Sequence, residues 1–165
     1  MGFFDRFTKK EEGPAAKKGM IYAPVTGTYI PLAEIPDEVF SQGFVGQGCG
    51  IIPAEGKVYA PVDGEVTTVA DTGHAVGIRT AEGGEFLIHV GIDTVDMGGK
   101  GFAPKVKQGS RVKMGQLLLE FDTSAIKAAG HPDITAFLLT NSDAYPDFKI
   151  HTGKTYTAKE EAGTI

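Results

Sequence analysis

Two histidines are the residues of this chain whose type and spacing could do chemistry. His89 lies in the middle of an apolar run, residues 86–95, and His74 lies fifteen residues upstream at the start of another. A neutral imidazole nitrogen can accept a phosphoryl group when a nearby hydrogen-bond donor neutralises the charge on the transferred oxygens. The same pair of nitrogens could instead bind Zn²⁺. Either chemistry requires the two imidazoles to converge on one site.

The run around His89 is expected to be a strand with an apolar face next to the imidazole. In an alternating strand Ile88 and Val90 face away from His89, whereas Leu87 shares its face. Apolar surroundings disfavour the imidazolium ion, so His89 should remain a neutral nucleophile. Gly91, two residues later, would allow a close approach to the backbone.

Three further residues could serve the same site. Thr72, or a backbone carbonyl, could fix the tautomer of His74 so that the ring donates to a phosphate oxygen. Asp93 could orient His89, bind a metal or attract an arginine of a partner; its other interpretation is a cap at the end of the strand. Asp37, in the turn IPDEVF, is a weaker candidate for a functional carboxylate.

Short strands must position these residues. The 23 glycines and 9 prolines divide the chain into short apolar segments. Many such segments predict an all-β fold, an antiparallel β-sandwich or barrel with one or two short helical turns. The predicted helices cover residues 36–42 and 123–129, the second opened by a Thr or Ser cap and ended at Gly130. The predicted strands cover residues 21–24, 27–32, 50–53, 57–60, 64–70, 75–80, 85–90, 111–112, 116–121 and 135–139.

An internal repeat marks two equivalent parts of the fold. The segment YAPVTGTYIPL, residues 22–32, aligns without a gap with YAPVDGEVTTV, residues 59–69. A proline followed by a glycine marks the turn in each copy. Two copies are too few for a solenoid, so we interpret them as equivalent hairpins of one sandwich.

Composition and charge narrow the class of protein. The 165 residues, 41% hydrophobic and 22% charged, suit one folded domain of ordinary size. The net charge of -5, without a large basic cluster, argues against nucleic acid as a partner. No apolar run is long enough to cross a bilayer. Cys49 is the only cysteine, so no disulfide can form within the chain and a reducing cytoplasm is the expected compartment.

Residues 1–19 are expected to form a flexible segment ahead of a domain that spans residues 20–165. The second half of this segment is charged, rich in small residues and interrupted by Gly-Pro. The start MGFFDRF has no signal for export or acylation. On a helix, one side would carry three phenylalanines, so residues 1–10 could contact a membrane surface; the other interpretation is an inert terminus. These phenylalanines are Phe3, Phe4 and Phe7.

The histidine segments and the turns around them resemble the glucose-type enzyme IIA of the bacterial phosphoenolpyruvate-dependent sugar phosphotransferase system. The resemblance starts near Met20 and excludes only the N-terminal segment and a short C-terminal stretch. MGFFDRF also resembles the membrane-binding segment of free-standing members. The segments that carry the main resemblance are APVTG, APVDG, IPDEVFSQGFVGQGCGI, DTGHAVGI, FLIHVGIDTVDMGGKGF, VKQGSRVKMGQLLLEFD and LLTNSD.

This resemblance implies a compact antiparallel β-sandwich that serves as a phosphotransferase component. His89 matches the histidine that accepts a phosphoryl group from the histidine-containing phosphocarrier protein and passes it to the IIB domain of a sugar permease during sugar uptake. His74 matches the histidine that stabilises the transferred group, and Thr72 matches a threonine bonded within that site. Asp37 and Asp93 match acidic residues that meet an arginine of the phosphocarrier.

The resemblance also implies a docking surface and a possible second use of the histidines. Phe40, Phe44 and Val45 match an apolar ring on which partners dock, although core packing is their other interpretation. Ala70 departs from the family, which usually has a bulky aromatic residue there. Unphosphorylated members can bind permeases and metabolic kinases, sometimes through zinc shared by both histidines and a partner carboxylate. The relay itself requires no cofactor, and its expected location is the cytoplasm or the inner face of the membrane.

Two other classes of protein share parts of these patterns. A zinc hydrolase of the lysostaphin type is suggested by HVGID, but it needs a third protein ligand. The remaining histidines, His131 and His151, lie in loop-like contexts. A biotinyl or lipoyl carrier is suggested by APVDGEV and VKQGSRVKMGQLLLEFD. Those domains present a modified lysine at the end of the second segment, where this chain has Glu120, Phe121 and Asp122 instead.

Overall fold

Short strands make up most of the regular structure. The computed structural model describes residues 15–165, so the amphipathic pattern predicted for residues 1–10 lies outside the described residues. Two short α-helices are present in the described part, and neither they nor the 3₁₀ turns are long and apolar enough to cross a membrane. The helices are α1 (Glu38–Ser41) and α2 (Thr123–Ala128), and the 3₁₀ turns are Leu32–Glu34, Thr94–Met97 and Ser142–Ala144. The strands are β1 (Met20–Tyr22), β2 (Gly27–Pro31), β3 (Gln47–Pro53), β4 (Lys57–Tyr59), β5 (Gly64–Val69), β6 (Ala75–Arg79), β7 (Glu85–His89), β8 (Phe102–Pro104), β9 (Arg111–Val112), β10 (Leu117–Phe121), β11 (Thr135–Leu139), β12 (Lys149–Ile150), β13 (Lys154–Tyr156) and β14 (Glu161–Thr164).

The strands build one large antiparallel sheet and two small ones. The large sheet has the strand order β13-β2-β3-β11-β7-β6-β5-β9, and the small sheets have the orders β1-β14-β12 and β4-β10-β8. All of the pairings between these strands are antiparallel. The predicted all-β, antiparallel sandwich is therefore confirmed.

The main core contains the inward-facing residues of the large sheet and the apolar residues of the small sheets. In β7, Phe86 and Ile88 are buried in this core. Burying an apolar side chain of this size contributes about 1.5–3 kcal/mol. Because successive residues of a strand point to opposite faces, Leu87 and His89 lie on the other face of the sheet.

A second apolar cluster covers part of that outer face. It is formed by Ile35, Phe40, Ile92, Ala136 and Leu138. The segment between β2 and β3 supplies the first two residues and packs closely on β3, where a Cβ added to Gly50 would come within 2.8 Å of Ile35 Cγ1. Since both faces of β11 are covered, all five of its residues are buried. The cluster supplies an apolar floor beside His89.

The two copies of the internal repeat contact each other. The N–H of Tyr22 donates to the carbonyl of Pro61 at 3.0 Å, and the N–H of Tyr59 donates to the carbonyl of Pro24 at 2.8 Å. The strands that follow the two turns, β2 and β5, both belong to the large sheet. The copies therefore occupy equivalent places and are bonded to one another reciprocally. They are not hairpins, so that part of the prediction is wrong: the strands on the two sides of each turn, β1 and β2 or β4 and β5, belong to different sheets.

The boundaries of several elements differ from the predictions. The ten predicted strands are present with their ends shifted by at most three residues, whereas β8, β12, β13 and β14 were not predicted. These four are only two to four residues long. Helix α2 is capped by Asp122, whose carboxylate accepts the N–H of Ala125, so the predicted Thr or Ser cap is wrong. Thr123 is already the first helical residue.

Candidate functional site

Small residues on both neighbouring strands leave space for the His89 ring. His89 is the last residue of β7 and lies opposite Ala75 of β6 and Ala136 of β11. Its side chain is half-buried on the outer face of the large sheet. A larger residue at either neighbouring position would compete with the imidazole for this space, because directly opposite side chains lie close together in a sheet.

The backbone brings His74 to the same place. His74 immediately precedes β6, and its carbonyl accepts the N–H of Val90 at 2.8 Å. The ring centroids of His74 and His89 are 4.7 Å apart, and the ring planes make an angle of 78°. The two imidazoles therefore converge, as either predicted chemistry requires.

Hydrogen bonds assign a role to each nitrogen of the pair. Nδ1 of His89 lies 3.0 Å from the carbonyl oxygen of Gly91, and because a carbonyl only accepts, this nitrogen carries the proton. Nε2 of a neutral His89 then has the free lone pair and is the nucleophilic atom. Nδ1 of His74 lies 2.5 Å from Oγ1 of Thr72. When that hydroxyl donates, Nε2 of His74 carries a proton that it can donate to a phosphate oxygen.

Burial favours the neutral form of both imidazoles. Loss of water around the ring, and secondly the charge of His74, lowers the pKa of His89 from 6.5 to about 4. Burial also lowers the pKa of His74. The bond to Gly91 and the negative charge of Asp37 raise the pKa of His89, but these effects are smaller than the effects that lower it. A neutral His89 agrees with the apolar surroundings that strand alternation predicts.

Phe40 forms an apolar wall beside His89. Its ring centroid lies 5.0 Å from that of His89, and the side chain is only 9% exposed. Helix α1 carries Phe40, and the carboxylate of Asp37 caps this helix by accepting the N–H groups of Val39 at 2.9 Å and Phe40 at 3.3 Å. Asp37 thus orders the helix that places Phe40 beside His89, in addition to any contact it makes with a partner.

Exposed apolar side chains lie on the segments that flank the histidines. Phe44, one of the residues predicted for docking, is 74% exposed, whereas Val45 is partly buried against the second cluster. Sequence reasoning missed Val39, which is 52% exposed on α1, and Val95, which is 54% exposed after the His89 strand. Both lie within two residues of a predicted site residue in sequence, but no periodicity indicates that they are exposed.

Asp93 lies at the turn after β7 rather than against the His89 ring. It is exposed and has a φ of 57°, in the left-handed region, and its side chain makes no capping bond to the 3₁₀ turn that follows. The Gly91 carbonyl, not Asp93, bonds to Nδ1 of His89. Of the roles considered for Asp93, orientation of the imidazole and capping are therefore not observed, and the partner contact stays a prediction.

Phe102 is a further neighbour of the pair that sequence reasoning did not single out. Its ring centroid lies 6.3 Å from that of His74. The strand β8 that carries it also supports the turn before His74, since a Cβ added to Gly73 would lie 3.0 Å from Pro104 Cγ and 3.2 Å from Phe102 Cβ. Ala70 begins this turn, and its carbonyl accepts the N–H of Gly73.

The histidine pair supplies two donors for a metal ion. Within residues 15–165 no three side chains of His, Cys, Asp or Glu are grouped so that they could hold a metal ion. A usual zinc site has four ligands, at least three of them from protein. Zinc at this pair would therefore need a further ligand from outside the described residues. The described part of the chain does not favour the zinc hydrolase, because it does not place a third protein ligand beside the pair.

One family model matches most of the chain. Residues 19–145 match the family model of the phosphoenolpyruvate-dependent sugar phosphotransferase system, EIIA 1, and the chain belongs to this family. As a member it is a phosphotransferase component of that system. The resemblance of the histidine segments and turns to this family is therefore confirmed.

Related proteins and a solved structure agree with this assignment. The chain is 41% identical over 140 residues to the PTS system glucose-specific EIIA component of Halalkalibacterium halodurans, covering 85% of this chain and 81% of that protein. It is 43% identical over 148 residues to the PTS system beta-glucoside-specific EIIBCA component of Bacillus subtilis, covering 88% of this chain but 24% of that much longer protein. Its fold is similar to that of glucose permease IIA from Mycoplasma capricolum, with a TM-score of 0.82, 33% identity, and coverage of 90% of this chain and 96% of that chain.

Proposed function

We propose that this protein is a phosphohistidine carrier in a relay for sugar uptake. It accepts a phosphoryl group on His89 from the histidine-containing phosphocarrier protein and passes it to the IIB domain of a sugar permease. The main support is the division of roles between the nitrogens of His89: Nδ1 is bonded to the Gly91 carbonyl, so Nε2 is free beside the second imidazole. The permease would then select the sugar.

In the acceptance step, Nε2 of His89 attacks the phosphorus atom of the donor's phosphohistidine. A new N–P bond forms on His89 while the donor's N–P bond breaks, and the electron pair of that bond returns to the donor imidazole. The ring of His89 gains positive charge in this step because Nδ1 keeps its proton. The Gly91 carbonyl accepts that N–H and stabilises the charged ring.

His74 acts on the phosphoryl oxygens during the transfer. Phosphoryl transfer passes through a loose transition state in which charge is spread over three oxygens. With Nδ1 bonded to Thr72, Nε2–H of His74 is available to donate to one of these oxygens. Because its pKa is lowered, His74 stays neutral and does not form a permanent ion pair with the phosphoryl group.

The onward step restores the starting state of the site. A thiolate of the IIB domain attacks phosphorus, the N–P bond to His89 breaks, and its electron pair returns to Nε2. No proton has to be moved on His89 in either direction. The bond between Nδ1 and the Gly91 carbonyl can therefore persist through the whole cycle.

Partners dock on the apolar residues around the histidines and on the acidic residues near them. Phe44 is the most exposed of these apolar residues, and Asp93 is an exposed carboxylate at the end of the His89 strand. An apolar centre with charge at its edge is the usual composition of a protein interface. An arginine of the phosphocarrier would meet Asp37 and Asp93, and Phe40 and Val45 would support the apolar surface from below.

The same face would serve regulation when His89 is unphosphorylated. Permeases or metabolic kinases would bind there, and zinc could join His74, His89 and a carboxylate of the partner, since the pair supplies only two ligands. The protein would work in the cytoplasm, with residues 1–10 as a peripheral contact to the inner face of the membrane.

The test is transfer of label from phosphoenolpyruvate through enzyme I and the phosphocarrier. H89A should take up no label, and H74Q should accept label but pass it slowly to the IIB domain. H151A is the matched control, because His151 is exposed and lies outside the strands, and it should behave as wild type. Unchanged uptake by H89A, or lost uptake by H151A, would contradict the proposed function.

A further inference from the structure

The nucleophilic atom of His89 depends on the orientation of one peptide group. The carbonyl of the Gly91–Ile92 peptide bonds to Nδ1 of His89 at 3.0 Å, and the N–H of the same peptide donates to Pro132 at 3.1 Å. This peptide belongs to a turn with unusual backbone angles, since φ is 79° at Gly91 and 57° at Asp93. Non-glycine residues rarely adopt such angles unless the surroundings hold them.

Thr94 holds the preceding peptide of the same turn. Its side chain is completely buried, and Oγ1 donates to the carbonyl of Val90 at 2.5 Å. Its methyl group lies against Gly91, where an added Cβ would overlap Thr94 Cγ2. The N–H of Val90 bonds to the carbonyl of His74. One buried threonine therefore bonds to the peptide before Gly91 and packs against Gly91 itself, and it is linked through Val90 to the second histidine.

We infer that Thr94 is a positioning residue for phosphoryl transfer: its hydroxyl and methyl groups hold the Gly91 turn so that the Gly91 carbonyl keeps the proton of His89 on Nδ1. This inference rests on the proposed function of His89. The Thr94 side chain bonds to the backbone carbonyl of Val90 and not to an imidazole nitrogen, so it acts through the backbone of the turn. At metal sites, removing a residue that orients a histidine ligand typically lowers affinity or activity by about 10- to 100-fold, and for Thr94, which acts through the backbone, we expect the lower end of this range.

The test uses T94V, which keeps the shape of the side chain and removes its hydroxyl, and T94S, which keeps the hydroxyl and removes the methyl group. Y29F is the matched control, because the hydroxyl of Tyr29 is also buried and donates to the carbonyl of the residue four positions earlier, at 2.7 Å. Tyr29 lies on β2, three strands away from β7 in the large sheet. Two properties are measured on each protein: the tautomer of His89, from ring ¹⁵N shifts of the unphosphorylated protein, and the rate of phosphoryl acceptance.

Wild type should show a protonated Nδ1 on His89. T94V should show a mixture of tautomers and a rate of acceptance lowered by about tenfold, with T94S between T94V and wild type. Y29F should lose thermal stability but keep the wild-type tautomer and rate. If T94V loses stability but keeps both the tautomer and the rate, Thr94 is only structural and the inference is wrong. If wild type itself accepts no phosphoryl group, the proposed function fails, while the tautomer comparison still decides the role of Thr94.

Discussion

Replacing Phe40 with alanine should raise the pKa of His89. The Phe40 ring is 9% exposed and lies 5.0 Å from the imidazole between centroids, so it excludes water from that side. The lowering of the pKa of His89 from 6.5 to about 4, for which burial is the largest cause, corresponds to about 3 kcal/mol at about 1.4 kcal/mol per pKa unit. If Phe40 supplies about a third of this effect, F40A raises the pKa by about one unit, to about 5.

The pKa is measured by following the ring resonances of His89 by NMR between about pH 3 and pH 8, the range that brackets both values. At about pH 5, wild-type His89 should be about 90% neutral, whereas His89 in F40A should be about half neutral. The rate of phosphoryl acceptance by F40A at that pH, relative to its rate at neutral pH, should therefore fall about twofold compared with wild type.

F44A is the control for this prediction. Phe44 belongs to the same segment but is 74% exposed, so its removal takes little apolar surface away from His89. F44A should leave the pKa of His89 unchanged. The reasoning is refuted if wild-type His89 titrates near 6.5, or if F44A moves the titration as much as F40A does.

Three further predictions concern the same site. G91A should destabilise the fold by about 1–3 kcal/mol in urea unfolding, because φ at Gly91 is 79° and the new methyl would overlap Thr94; a wild-type midpoint would contradict this. T72V should leave Nδ1 of His74 without its partner and slow onward transfer about tenfold in the phosphotransfer assay, whereas an unchanged rate would show that Thr72 does not fix the tautomer. Because the pKa of His89 is lower in the folded protein than 6.5, the unfolded chain binds more protons as the pH falls, so about 3 kcal/mol of stability should be lost between about pH 6.5 and pH 4. In H89Q, urea unfolding at the two ends of this range should show a smaller loss; an equal loss would assign the effect to other groups.

Strand alternation was sufficient to predict the local environment of His89. Residues 85–90 were predicted as a strand with Ile88 facing away from the histidine, and in the structure Ile88 is in the main core while Leu87 packs against the second cluster. This works because the two-residue period of a strand depends only on local sequence. Glycine and proline likewise marked most strand ends, since they fix where extended segments must turn.

Contacts between distant segments could not be predicted in the same way. The bond from Nδ1 of His89 involves a backbone carbonyl, which every residue has, so no residue type indicates it. The role of Thr94 depends on how it packs against Gly91, and a buried threonine looks the same in sequence as an exposed one. The reciprocal bonds between the two repeat copies join residues far apart in the chain, which the alignment alone does not indicate.

The most direct test of the account is to identify the nitrogen that carries the phosphoryl group. The ¹⁵N-labelled protein is phosphorylated from phosphoenolpyruvate through enzyme I and the phosphocarrier, and coupling between ³¹P and the ring nitrogens is recorded. The account predicts one phosphorylated atom, Nε2 of His89, because Nδ1 of that ring is bonded to the Gly91 carbonyl. A phosphoryl group on Nδ1 of His89, or on His74, would contradict it.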